Sequence, residues 1–145
     1  MKAVRAANGS VEVVEVPEPV GEGVRVRVVS AGICGTDLHL VGDGLVEGTT
    51  LGHEIAGFTA DGTAVAVEPV ISCGDCAACV GGDNGRCADA LPNLIGIGAD
   101  GGMAESVLVP EQFVVTLSDG LEVRDACLVE PLAVAVRALH RAGVR

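Results

Sequence analysis

Over the first third of the chain, apolar and polar residues alternate with the period of two that marks half-buried strands. Residues 2–7 and 10–16 read as a pair of strands, the second setting Val11, Val13 and Val16 against Glu12 and Glu15. Asn8-Gly9 between them is a strong hairpin-turn dipeptide, and Pro17 and Pro19 end the pair. Val24-Arg25-Val26-Arg27-Val28 predicts a third strand with one apolar and one solvated face, running into Gly32-Ile33-Cys34. A short helical turn is expected from Cys34 to about Leu40, stopped by Gly42 and Gly44.

Residues 53–59 and 63–68 predict two further strands joined at the turn dipeptide Asp61-Gly62. An irregular loop rich in Gly and Asp follows over 73–87, and strand-like pieces return at 94–97, 105–109 and 113–117. The last quarter changes character. Residues 121–128 suggest a short helix, with Cys127 as a small buried hydrophobe. Glu130-Pro131 then opens a longer helix, with Glu130 at its N-cap and Pro131 at its first position. Leu128, Leu132, Ala135, Val136 and Leu139 give that helix an apolar stripe. Arg137, His140, Arg141 and Arg145 complement its C-terminal dipole before Gly143 stops it. The pattern predicts a mainly β single domain over residues 1–145, with short helices and a C-terminal helix.

Composition narrows what such a fold does. Hydrophobic residues make up 49% of the chain, so it can bury a real core. The net charge of −11 repels phosphate backbones, and with no Trp or Tyr there is little to stack bases on, which excludes nucleic acid as a partner. No apolar run is long enough to span a bilayer, and Met1-Lys2-Ala3-Val4-Arg5 lacks the apolar core of a signal peptide. A cytoplasmic location is the expectation. There, six cysteines read as metal ligands rather than disulfides.

Cys73, Cys76, Cys79 and Cys87 are spaced to close a tetrahedral zinc–thiolate site with no open position, a structural lobe over 73–87. An iron–sulfur cluster fits less well, because the last gap is long and Ala88 rather than Pro follows Cys87. A second constellation lies between Cys34 and Glu54. Cys34 and His53 are the firm candidates for a catalytic zinc. The third ligand is open between Glu54 and Glu130: adjacent residues of a straight strand face opposite ways, so His53 and Glu54 could not both point at one metal. Three ligands would leave one coordination position free, the mark of a catalytic site. Thr36 and His39 suit a proton path to water, and Asp37 suits holding the His53 ring in one tautomer.

Cys34-Gly35-Thr36-Asp37-x-His39, Gly52-His53-Glu54, the four-cysteine lobe, Gly101-Gly102-Met103-Ala104-Glu105 and Glu130-Pro131-Leu132-Ala133 occur in this order. Together they resemble the N-terminal, GroES-like catalytic domain of zinc-dependent medium-chain alcohol and polyol dehydrogenases, across essentially the whole chain. The resemblance implies a partly open β-barrel with two zinc sites. It also implies Cys34 and His53 as catalytic-zinc ligands, Glu54 as a direct or alternating ligand, and Thr36 and His39 as the proton relay. Glu130 followed by proline looks more like the polyol branch than the primary-alcohol branch.

The resemblance further implies a small alcohol or polyol substrate, and NAD or NADP bound by a Rossmann-type domain that this chain does not contain. Gly96-Ile97-Gly98-Ala99-Asp100-Gly101 matches G-x-G-x-x-G, but Gly102 and a Val-rich strand follow where a dinucleotide site needs a helix. It reads as a turn. An exposed stripe on the last helix would favour self-association, as in a homo-oligomer, or poor solubility. The alternative is a non-enzymatic GroES-like zinc-binding module, which would need the lobe but neither Cys34 nor His53.

Overall fold

The computed structural model describes residues 1–144. Strands β1 (Lys2–Ala7) and β2 (Ser10–Glu15) form an antiparallel hairpin in which Ala7 pairs with Ser10. Its two-residue turn needs positive φ at both positions, and Asn8 (φ 52°) and Gly9 (φ 71°) supply it. Strands β3 (Val24–Ala31), β4 (Ile55–Phe58), β5 (Ala64–Val67), β6 (Ser106–Val109) and β7 (Val114–Thr116) make a second sheet of five. Its order is β6-β3-β4-β5-β7, all antiparallel. A shift in register between Val28 and Ser30 bends β3.

One face of this sheet closes over Val26, Ile55, Val65, Val67, Ile95, Val107, Val109 and Phe113. A second, smaller cluster of Ala6, Val41, Val46 and Leu51 pins helix α1 (Gly35–Gly42) against the hairpin. Helix α2 (Ala77–Val80) lies within the cysteine lobe, which is therefore less irregular than its composition suggests. Helix α3 (Val129–Arg141) ends the described chain with none of its residues buried.

Four local expectations are corrected. The turn after Cys34 is a full helix reaching Gly42. Residues 94–97 form no strand: Gly96 has φ 80°, and the Leu94 carbonyl accepts the N–H groups of Ile97, Gly98 and Ala99 in a tight turn. Residues 121–128 yield only turns and a 3₁₀ turn at Ala126–Leu128. Helix α3 starts two residues early, so Leu128 is its N-cap and Glu130 lies inside the first turn. No helix among the described residues is long and apolar enough to cross a membrane.

Ile55 is 1% exposed and opens the strand that follows His53 and Glu54. Replacing it with Ala removes buried methyl groups from the larger cluster and should lower stability by about 2–5 kcal/mol. Val11→Ala, on the exposed side of the hairpin, should change it by no more than about 0.5 kcal/mol. Urea denaturation of the zinc-loaded chain checks both; equal effects would contradict this placement of the core.

Candidate metal centre

Helix α1 presents one narrow inward face, Asp37 and Val41, one turn apart. Val41 enters the smaller cluster, and that seating carries Asp37 to a position 3% exposed. The Asp37 carboxylate then works in two directions. Its Oδ2 accepts the Cys34 backbone N–H at 2.9 Å, closing the first turn of the helix as a capping residue. Its Oδ1 lies 3.5 Å from His53 Nδ1. That separation is long for a hydrogen bond, and neither atom has another protein partner. With Nδ1 turned to Asp37, Nε2 is the nitrogen His53 has free for a metal.

Gly52, with φ 94°, turns the chain just before His53. Behind it the 96–102 loop packs backbone on backbone: Gly101 donates to the Thr50 carbonyl at 2.7 Å and Gly102 to the Gly52 carbonyl at 2.9 Å. A Cβ on Gly101 would stand 2.4 Å from the Gly52 oxygen. The G-x-G-x-x-G match is thus a buttress for the His53 segment, and β6, not a helix, follows it.

His53 and Glu54 precede β4 rather than lying within it. The opposite-faces rule for strands therefore does not bind them. Ligand atoms of Cys34, His53 and Glu54 all lie within 4.8 Å of one another. Both His53 and Glu54 are 7% exposed. A buried carboxylate, an imidazole and a thiol form an N, O and S set that fits zinc.

Electrostatics run the same way. The backbone N–H of Thr36, then its hydroxyl, lower the Cys34 thiol below its ordinary value, with His53 adding to them against burial. Asp37 chiefly raises the His53 imidazole to about 9, against burial, with Cys34 assisting. Burial pushes the Glu130 carboxyl up, and the charges of His53 and Glu54 both reach it. Glu130 is thus near the donor set, but it is not among the three residues whose ligand atoms converge. Cys34 Sγ lies 3.6 Å from Thr36 Oγ1, and Thr36 and His39 are exposed, one turn apart on the outer face of α1.

The lobe brings its four thiols equally close. Cys73 and Cys87 are 3.5 Å apart, Cys76 and Cys79 3.5 Å, and Cys73 and Cys79 3.9 Å. A disulfide would require about 2.05 Å. Four sulfurs at about 2.3 Å from a tetrahedral zinc stand about 3.8 Å apart, which these separations match. Asp75 raises the Cys73 thiol, while the Cys73 backbone N–H lowers Cys87. Four thiols this close ionise together only around a cation. The residue that sequence reasoning missed is Gly32, whose missing side chain leaves room for Glu54; only the strand register could have pointed to it.

An antiparallel β domain thus carries one three-residue cluster and one four-thiol cluster, each able to hold a metal ion. Residues 21–119 match the profile of the alcohol dehydrogenase GroES-like domain. The chain belongs to this zinc-type dehydrogenase family, in which its curled, partly open sheet is the GroES-like fold. It is 33% identical over 143 residues to L-galactonate-5-dehydrogenase of Escherichia coli (strain K12), covering 90% of this chain and 41% of that protein. The crystal structure of galactitol-1-phosphate dehydrogenase from Escherichia coli superposes with TM-score 0.89 at 33% identity, covering 99% of this chain and 46% of that one. A zinc-binding dehydrogenase from Sinorhizobium meliloti 1021, solved bound to NADP, superposes with TM-score 0.77 at 37% identity, covering 91% and 42%. The chain spans less than half the length of these relatives.

The Asp37–His53 pair generates a pH prediction. A folded-state value of about 9, above the ordinary 6.5, means that the pair stabilises the metal-free fold fully below pH 6.5. That contribution fades as pH rises through about 9. In the metal-free chain the His53 ring should titrate by NMR near 9, and Asp37→Asn should bring it back toward 6.5. An unchanged titration in the variant would exclude Asp37 as the cause.

Proposed function

We propose that this chain is the catalytic-zinc portion of an NAD(P)-linked alcohol or polyol dehydrogenase. The observation that carries the reading is the convergence of ligand atoms of Cys34, His53 and Glu54 within 4.8 Å, with His53 and Glu54 buried. Zinc held by these three residues would supply Lewis acidity toward an alcohol oxygen. Glu54 is the third donor in this reading, and Glu130 is a neighbouring carboxyl that tunes the charge of the site. Cys73, Cys76, Cys79 and Cys87 hold a second zinc that folds the lobe.

The chain's own residues handle orientation and protons. Asp37 fixes the His53 ring and the Cys34 backbone together, so that the two donors keep one separation. The Thr36 hydroxyl, beside Cys34, accepts the alcohol proton and passes it toward His39, which releases it to water. A nicotinamide cofactor, when bound, would supply the hydride acceptor. Because relatives are more than twice as long, a cofactor domain is assigned to the remainder of such a protein, covering the exposed apolar side of α3. The glutamate-proline step at Glu130 and the polyol-phosphate and sugar-acid relatives favour a polyol as substrate.

Metal analysis distinguishes this reading from a scaffold that binds zinc only in its lobe. The purified chain should hold two zincs, and Cys34→Ser one, with the lobe zinc retained. A single zinc in the unsubstituted, zinc-saturated chain would overturn the reading. The 145-residue chain should give no turnover with NAD or NADP across a polyol panel; robust turnover would contradict the division of labour.

A further inference from the structure

Antiparallel pairing places Ala31 opposite Ile55 at the end of the β3–β4 ladder. One step further, Gly32 stands opposite Glu54 and donates its N–H to the Glu54 carbonyl at 2.8 Å. Residues directly opposite in an antiparallel pair carry their side chains on one face. The Glu54 side chain occupies the space that a side chain at position 32 would need. A Cβ built on Gly32 would stand 1.8 Å from Glu54 Oε2 and 3.0 Å from its Cβ and its carboxyl carbon. No heavy atoms tolerate the first distance. Gly32 is not among the glycines with positive φ, so the backbone there would accept any residue. What the position requires is empty volume.

We propose that Gly32 is a positioning residue for the metal centre: its absent side chain is the slot that lets the Glu54 carboxylate fold over the end of β3 and join Cys34 and His53. The inference rests on the reading of Cys34, His53 and Glu54 as zinc donors. It explains why Glu54 rather than Glu130 supplies the third donor atom. Glu54 is drawn back across the strand end toward Cys34, two residues beyond Gly32, while Glu130 approaches from a separate helix. Filling the slot would swing the carboxylate out of the set and leave the thiol and imidazole in place.

Zinc competition against a chelator on the full chain tests this, read on the second zinc equivalent with the lobe zinc as an internal measure of folding. Gly32→Ala should retain the lobe zinc and weaken the second by about 10- to 100-fold, the range for losing a group that orients a metal site. Glu54→Gly, which removes both the carboxylate and its Cβ, should weaken it comparably. In the Glu54→Gly background, adding Gly32→Ala should cost nothing further, and should restore the lobe zinc if Gly32→Ala alone misfolds. Parent-like affinity in Gly32→Ala would overturn the proposal. So would an added loss in the double variant, or failure of the double variant to fold, since either makes Gly32 a backbone requirement independent of Glu54. A parent chain that holds only the lobe zinc would remove the donor-set reading itself, and is recognised before any variant is made.

Discussion

The arrangement of this domain depends on one buried carboxylate serving two elements at once. Asp37 joins the helix that carries Cys34 to the turn that carries His53. Burying a carboxylate costs several kcal/mol unless charge or hydrogen bonds compensate it. Here one oxygen has the Cys34 N–H and the other has only the His53 ring. Neither element can shift without stranding that charge. The smaller apolar cluster around Val41 is therefore not incidental packing; by seating α1 it sets the distance between two donors far apart in sequence.

The same logic explains why acidic groups crowd this region of a chain already at −11. Glu130 stands in the same neighbourhood, where burial and then the Glu54 charge push its carboxyl up. A fold that simply buried them would be unstable. A divalent cation reverses the sign, because each deprotonated ligand then gains rather than loses by its neighbours. The lobe repeats the principle with sulfur alone, but its four thiols enclose their centre, whereas the Cys34 set offers three donors beside an exposed helix face.

Much of this was legible in the residues, and the exceptions share a cause. The hairpin at Asn8-Gly9, the alternation through Val24 to Val28 and the four-cysteine spacing are local signals, and the structure follows them. Residues 94–97 carry strand-like side chains, but the Leu94 carbonyl gathers three N–H groups, and backbone geometry overrides composition there. The third donor stayed ambiguous because alternation applies only inside a strand, and β4 begins after Glu54. Glu130 looked like a cap because proline follows it, yet the 3₁₀ turn at Ala126–Leu128 runs straight into α3 and takes the cap position. Gly32 gave no local sign at all; its meaning exists only once β3 and β4 are paired.

The burial pattern also orders the chemistry in space. Asp37, His53 and Glu54 are buried on the sheet side, Cys34 is half-buried, and Thr36 and His39 face outward. Exposure thus rises from the dry Asp37 carboxylate and His53 and Glu54, through Cys34, to Thr36 and His39 on the outer face of α1. Groups that must hold a position are sheltered from competing water, where their interactions are strongest. Thr36 and His39, by contrast, stay in contact with water. The four-thiol lobe differs in kind: its candidate ligands are all sulfur, and they run from exposed Cys73 to buried Cys87.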